Sequence, residues 1–224
     1  MFSQLFQSLR DEKKLYLNAR KGNEFEDRIM SYLQLTLGFS RILKRDISNQ
    51  DWKLIKHKIA KKLDKNFLDI INKNLKLTFI YQPYGSQQFP DFIVFTDKKI
   101  VSLEVKFSSK KQSKPVWNSN VPRANAFYIF GSYGMQDLTF FCGDDIITSK
   151  QRKRLYNFFD GIRTTQSKAR ADMPALDATK RGFTPYIRAA FEQRKHKSDV
   201  ETNFFAHPDR KKVENLAIKK ANLN

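Results

Sequence analysis

The sequence predicts an α/β (α+β) fold in which a central mixed β-sheet of four or more strands is flanked by helices. Two changes of hydrophobic period along the 224 residues indicate this class. Apolar residues recur at helical spacing up to about residue 74, and short β-prone apolar runs separated by turn residues follow up to about residue 145. Beyond that point the chain is polar, basic and again helical in pattern. Helices on both sides of a strand-rich segment favour a sheet covered by helices.

The N-terminal part, residues 1–74, is predicted to be helical. Apolar side chains repeat at spacings of three and four in residues 2–9 and again in residues 25–33, as on the core-facing side of a helix. The same period runs through residues 46–74, which predicts a further helix, broken near residues 64–65.

The middle part, residues 75–145, carries the predicted strands. Turn residues such as "PYGSQQ" and "TDKK" separate them. Alternation along "IVSLEVKF" places Ser102, Glu104 and Lys106 on one face of the sheet, opposite the apolar side chains. The predicted strands are residues 75–82, 91–95, 100–107, 126–130 and 138–142.

The C-terminal part, residues 146–224, is predicted to be basic and helical. Thr184 and Pro185 resemble the cap and first position of a helix that would extend to Phe191, and Pro208 has the same position ahead of a last helix. No internal repeat or linker divides the chain. We therefore expect one domain over residues 1–224.

The charge of the chain points to a polyanionic partner. Lys and Arg number 42 against 23 Asp and Glu, which gives a net charge of +19 and a pI near 10.0. Such an excess repels itself unless a polyanion relieves it, so nucleic acid is the first partner to consider. The alternatives are an anionic membrane surface and a charge that only serves solubility.

Cysteine, histidine and hydropathy exclude several classes. A single cysteine, Cys142, excludes internal disulfides and multi-cysteine zinc clusters. The three histidines lie far apart and form no metal-binding repeat, so a hard cation held by oxygen is the expected metal if there is one. No apolar stretch reaches the ~20 residues of a membrane-spanning helix, and the first residues do not resemble a signal peptide. We expect an intracellular protein without a membrane partner.

Two carboxylates and a lysine form the candidate reactive group. Asp91 opens one predicted strand and Glu104 lies in the next, with twelve residues between them, a length that a hairpin can fold back. Mg²⁺ takes one or two carboxylates and completes its shell with water and substrate phosphate. Asp91 and Glu104 are therefore the predicted ligands of Mg²⁺. Lys106, two residues from Glu104 on the same face, is predicted to serve the attacking water or the charge on the phosphate.

Pro90-Asp91, the twelve-residue gap and Glu104-Val105-Lys106 resemble the signature of the PD-(D/E)XK nuclease superfamily, and in particular its type II restriction endonucleases. The resemblance implies a restriction-endonuclease-like nuclease domain, Mg²⁺-dependent hydrolysis of double-stranded DNA at a specific site, and a homodimer in the cytoplasm of a bacterium or archaeon. The alternative is a structural hairpin in which Glu104 and Lys106 pair across a solvated face.

A second resemblance lies upstream. Gly22-Asn23-Glu24-Phe25-Glu26 is similar to a helical element that carries an acidic residue in several branches of the superfamily, which implies a catalytic role for Glu26. Helical spacing places Glu26 at the margin of the apolar stripe. The alternative is an exposed helix glutamate.

Two segments around the hairpin are predicted to contact DNA. The loop after the Glu104 strand is polar and basic, and the turn before Asp91 carries two glutamines. The alternatives are a solvated loop with its tryptophan in the core and an ordinary turn. The candidate residues are Gln87, Gln88, Ser108, Ser109, Lys110, Lys111, Trp117, Asn118, Asn120 and Arg123.

Two other functions remain open from the sequence. A structure-selective, repair or transposon nuclease of the same superfamily, such as a junction resolvase, would share the three reactive residues. A non-catalytic nucleic-acid-binding protein would use the charge and keep the hairpin only as structure. Both predict binding that weakens steeply with salt, so cleavage and not affinity separates them.

Overall fold

The computed structural model describes residues 1–61, 63–118, 121–187, 190–193 and 199–222. Within these ranges the helices are α1 (Ser3–Asp11), α2 (Lys13–Leu17), α3 (Gly22–Ser31), α4 (Asn49–Ala60), α5 (Gly143–Ile146), α6 (Ser149–Leu176) and α7 (Arg210–Asn222). The strands are β1 (Ser40–Arg41), β2 (Leu68–Asp69), β3 (Thr78–Tyr81), β4 (Phe92–Phe95), β5 (Lys99–Ser108), β6 (Trp117–Asn118), β7 (Ala126–Ser132), β8 (Asp137–Cys142) and β9 (Ala190–Phe191).

The main sheet has seven strands among the described residues. Its order is β1-β3-β4-β5-β7-β8, and β2 pairs with the start of β5. Strands β3, β4 and β5 form an antiparallel meander, β7 runs parallel to β5, and β8 returns antiparallel to β7. Helices flank this mixed sheet, which confirms the predicted fold class. A small second sheet pairs β6 with β9.

One face of the sheet is covered by the N-terminal helices and α7. Phe6 of α1 lies against Phe127 and Phe140, each at a ring separation of 5.1 Å. The apolar residues of β5, Val101, Leu103 and Val105, belong to this core.

The opposite face has two smaller apolar clusters. In the first, Trp52 and Ile55 of α4 cover the part of the sheet that contains Ile93 and Phe95. In the second, aromatic side chains of β6, β7 and β8 pack together. Glu104 and Lys106 lie on β5 between these clusters, so the predicted polar face is enclosed and not broadly solvated.

The predicted helix over residues 46–74 is shorter in the structure. The Ser48 hydroxyl caps α4 by accepting from the Asp51 N–H, but the helix ends at Ala60. The apolar residues beyond it pack in extended chain: Phe67 stacks on Phe127 with ring centroids 5.2 Å apart, and β2 adds to the sheet. Tertiary contacts thus override the helical period.

The predicted helix beginning at Thr184 and Pro185 is wrong. Residues 184–187 form neither helix nor strand, and Ala190–Phe191 forms β9. The Pro185 carbonyl accepts hydrogen bonds from the side chains of Gln166 and Arg170, so this segment lies along α6. Contacts with side-chain donors of α6 thus hold this segment without a helix.

The start of α6 is anchored by a buried arginine. The Arg152 side chain is 0% exposed and donates to the carbonyls of Pro122, Gly143 and Ile147 and to the Asp144 carboxylate. The last predicted helix is present as α7. Among the described residues, no helix is long and apolar enough to cross a membrane.

Candidate active site

Three neighbouring strands bring the predicted carboxylates together. Phe92 of β4 pairs with Leu103 of β5, and continuing this register by one residue places Asp91 opposite Glu104. On the other side, the backbone N–H of Gln82 donates to the Asp91 carbonyl at 2.7 Å. The hairpin therefore sets Asp91 between the end of β3 and the middle of β5.

The Asp91 carboxylate is held by the backbone of β5. Its Oδ2 accepts from the Val105 N–H at 2.7 Å. Burial first, and then the charges of Glu104 and more weakly Glu26, raise the pKa of Asp91 to about 8 against the opposing effects of the Val105 N–H and Lys106. In the absence of a cation, this shift favours the protonated form of Asp91 at neutral pH.

The two oxygens of Glu104 have different surroundings. Oε1 accepts from the Lys106 ammonium at 2.7 Å. Oε2 is buried and has no hydrogen-bond partner among the described residues. The side chain is only 11% exposed, so little water reaches that oxygen. A buried carboxylate oxygen without a donor is costly unless a cation or a donor on a ligand completes it.

Glu26 reaches the same group from α3. Phe25 stacks on Phe107 with ring centroids 5.0 Å apart and lies so close to Gly131 that a Cβ there would approach its ring to 2.9 Å. This contact sets α3 against the sheet and directs the next residue towards the site. The Tyr81 hydroxyl donates to Glu26 Oε2 at 2.7 Å.

The charge of Glu26 is coupled to the hairpin. Burial raises the pKa of Glu26, the hydrogen bond from the Tyr81 hydroxyl and the nearby Gln82 amide lower it, and the charge of Glu104 raises it again. The exposed-glutamate alternative therefore does not describe this side chain, which is partly buried and paired.

The residues fit a hard divalent cation. The charge of Glu104 contributes to the raised pKa values of Asp91 and Glu26, and one oxygen of Glu104 lacks a donor. Among the described residues no set of three Asp, Glu, His or Cys side chains forms a preassembled metal cage. Mg²⁺ needs only one or two carboxylates, since waters and a substrate phosphate complete its shell. Asp91 and Glu104 are the residues that would hold it.

The turn and the loop beside the site expose part of the predicted DNA-contacting set. Gln87 and Gln88 are exposed in the turn directly before Asp91, and Ser109, Lys110 and Lys111 are exposed after β5. Ser108, the last residue of β5, is half-buried.

The start of this loop is fixed to the β7–β8 turn. The Ser132 hydroxyl donates to the Lys110 carbonyl at 2.9 Å. Gly134 lies directly against the Lys111 backbone, where any side chain at that position would collide with it. The two lysines are thus presented from a docked segment beside the end of β5.

Two of the predicted DNA-contacting residues serve packing instead. Trp117 is 5% exposed, and its Nε1 donates to the Gln193 side chain at 3.0 Å. Arg123 donates to the Ile59 carbonyl at 2.6 Å and lies 4.0 Å from the centroid of the Phe89 ring. Trp117 is thus buried with its donor used, and Arg123 is half-buried with one guanidinium donor used by a backbone carbonyl.

Asn118 and Asn120 are the remaining two of the residues predicted to contact DNA. Asn118 belongs to β6 by its backbone, while its side chain and the whole of Asn120 lie outside the described residues.

Sequence reasoning missed Tyr81 and Gln82. Both contact the site: Tyr81 through Glu26, and Gln82 through Tyr81 and the Asp91 backbone. The available signal was their position at the end of the β-prone run "LKLTFIYQ", directly before the turn that leads to Asp91.

Comparison with known proteins adds no further constraint: no family model, no curated protein and no solved structure matches the chain.

Proposed function

We propose that this protein is a site-specific endonuclease of the type II restriction class that hydrolyses phosphodiester bonds of double-stranded DNA with Mg²⁺. The observation that supports this most is the group formed by Glu26, Asp91, Glu104 and Lys106, in which a buried carboxylate oxygen lacks a donor. Clustered carboxylates with raised pKa values cost stability, and such groups concentrate at functional sites.

Asp91 and Glu104 bind the cation in this proposal. The Val105 N–H fixes one oxygen of Asp91, and Lys106 fixes one oxygen of Glu104, which leaves the other oxygen of each carboxylate for the metal. When bound, Mg²⁺ would offset charge on the scissile phosphate and favour ionisation of the attacking water.

Lys106 acts on the nucleophile. Its ammonium has three protons and uses one for Glu104 Oε1, so two remain for the attacking water and a phosphate oxygen. This donation positions the water and stabilises the charge that develops on phosphorus. Glu26, at the edge of the group, would orient a further water.

DNA is the substrate that the charge favours. A net charge of +19 gives strong attraction to a phosphate backbone. Gln87, Gln88, Lys110 and Lys111 are exposed beside the site, where amides can read base edges and ammonium groups contact phosphates. Two copies of the chain related by a twofold axis would cut both strands, and we propose such a homodimer in a bacterial or archaeal cytoplasm.

The test is incubation of the purified protein with unmethylated phage DNA in Mg²⁺, beside an EDTA control. The Asp91→Ala variant removes the cation site, and Asp97→Ala, on the exposed turn of the same hairpin, is its matched control. Discrete fragments from wild type and Asp97→Ala, absent with Asp91→Ala and with EDTA, would support the proposal.

Two outcomes would contradict it. Cleavage of branched DNA alone would identify a structure-selective nuclease. DNA that is shifted on a gel and stays intact with linear and branched substrates would identify a binding protein.

A further inference from the structure

Gln82 has a backbone conformation that its residue type disfavours. Its φ is +48°, in the left-handed region, where a long side chain without a local hydrogen bond to its own backbone is uncommon. The residue follows the last position of β3, and its N–H donates to the Asp91 carbonyl at 2.7 Å. An unfavourable backbone next to a proposed cation ligand calls for a compensating contact.

That contact is a chain of donors that ends on Glu26. Gln82 Nε2 donates to the Tyr81 hydroxyl at 2.9 Å, and this hydroxyl donates to Glu26 Oε2 at 2.7 Å. The amide nitrogen can donate hydrogen bonds but cannot accept them. The Tyr81 hydroxyl therefore accepts from it and donates its own proton to the Glu26 carboxylate. Gln82 thereby fixes the direction of the Tyr81 hydroxyl.

The left-handed conformation is what makes this chain possible. Successive side chains of a strand point to opposite faces, so in extended chain Tyr81 and Gln82 would point apart. Tyr81 lies on the α3 face. The turn at Gln82 brings its amide back to that face while its N–H still pairs with Asp91.

We propose that Gln82 is a positioning residue that ties Glu26, through Tyr81, to the backbone of Asp91. The inference rests on the proposed nuclease function and adds to it a residue that touches neither DNA nor the cation. Its role is to hold the acidic residue of α3 at a fixed place relative to the hairpin. Loss of that tie leaves the Glu26 carboxylate free to shift relative to the hairpin, while Phe25 still packs α3 on the sheet.

The test compares two glutamines with nearly equal backbone strain. Gln136, with φ of +50°, is exposed in the β7–β8 turn and contacts the Tyr133 carbonyl of its own turn. Glycine adopts this φ without penalty, but it also adds chain entropy to the unfolded state. Gln82→Gly and Gln136→Gly should therefore show similar changes in Tm, within about 4 °C of wild type.

Activity should separate the two variants. We expect Gln82→Gly to lower kcat for DNA cleavage at saturating Mg²⁺ at least tenfold with KM for DNA changed less than threefold, and Gln136→Gly to leave both values within twofold. Gln82→Asn tolerates the left-handed backbone but is one methylene shorter, so it should lose activity like the glycine variant.

A double-mutant cycle with Tyr81→Phe tests the chain itself. If Gln82 acts through the Tyr81 hydroxyl, the double variant should lose no more kcat than Tyr81→Phe alone. Independent, multiplying losses would overturn the proposed tie, as would wild-type kcat in Gln82→Gly.

The experiments distinguish failure of the proposed nuclease function from failure of the proposed role of Gln82. A wild-type protein that shows no Mg²⁺-dependent rise in Tm and no cleavage would overturn the nuclease proposal and this inference together. A wild-type protein that binds Mg²⁺ and cleaves DNA, beside an equally active Gln82→Gly, would overturn this inference alone.

Discussion

Replacing Asp91 by Asn should stabilise the metal-free protein while removing its response to Mg²⁺. The amide keeps an oxygen that can accept from the Val105 N–H, so the local geometry is retained. It removes a carboxylate whose pKa is raised to about 8 by burial and by the neighbouring charge of Glu104. The variant hairpin no longer has the free-energy cost of placing two carboxylates together.

The sign of the effect follows from proton linkage. An Asp in the unfolded chain has a pKa of about 3.9, so between that pH and about 8 the folded state binds more protons than the unfolded state. Stability contributed by this group therefore falls as pH rises through that window. The penalty is absent below about pH 4 and complete above about pH 8.

The magnitude is a few kcal/mol. At pH 7 about three pKa units separate the solution from the unfolded value, and at about 1.4 kcal/mol each this sets an upper bound near 4 kcal/mol. Because Asp91 is partly exposed, solvent screening lowers the expected figure to about 2 kcal/mol. For a chain of this length such a change raises Tm by about 4–8 °C.

Scanning calorimetry in EDTA at pH 4, 7 and 8.5 measures the difference. We expect the Tm of Asp91→Asn to be higher than that of wild type at pH 7, higher by more at pH 8.5, and equal to it at pH 4. Asp97→Asn, on the exposed turn of the same hairpin, controls for the general loss of a negative charge from a basic protein.

Mg²⁺ should make wild type more stable than Asp91→Asn. A ligand at a hundred times its Kd stabilises the folded state by about 2.7 kcal/mol, and only wild type and the Asp97 variant should gain it. An Asp91→Asn protein less stable than wild type in EDTA at pH 8.5, or one that Mg²⁺ stabilises equally, would refute the reasoning.

Three further changes have defined outcomes. Lys106→Met should lower kcat at least about 10²-fold, since it removes the donor to the attacking water, whereas Lys99→Met, which loses an ion pair with an exposed partner at the other end of β5, should stay near wild type in the same cleavage assay. Phe25→Ala should cost about 3–5 kcal/mol in urea unfolding and reduce cleavage, because the ring sets α3 on the sheet; an unchanged unfolding midpoint would contradict this packing. Arg152→Met leaves buried carbonyls without a donor and should cost about 3 kcal/mol or more, while exposed Arg154→Met should change stability by less than about 0.5 kcal/mol; equal unfolding curves for the two would refute the anchoring role.

Much of the site was predictable from local pattern. Alternation places Glu104 and Lys106 on one face of a strand whatever surrounds it, and a short turn returns the chain so that Asp91 meets Glu104. Helical spacing placed Glu26 at the margin of an apolar stripe, which is where a side chain can reach a sheet end. These inferences need only neighbours close in sequence.

The roles of other residues depended on contacts far along the chain. Trp117 and Arg123 belong to a polar, basic loop, and their sequence neighbours favoured solvent and DNA. Their partners, Gln193 and Ile59, are more than sixty residues away, and only the folded chain brings these acceptors to them.

The sequence by itself determined the fold class, the order of strands in the central hairpin and the face that carries the reactive group, because backbone periodicity and turn chemistry are local. The tertiary structure alone decided how far α4 extends, which loop residues are buried and how Gln82 turns back to Tyr81. Those features are set by apolar burial and by donors meeting distant acceptors, and neither is encoded in the period of a short segment.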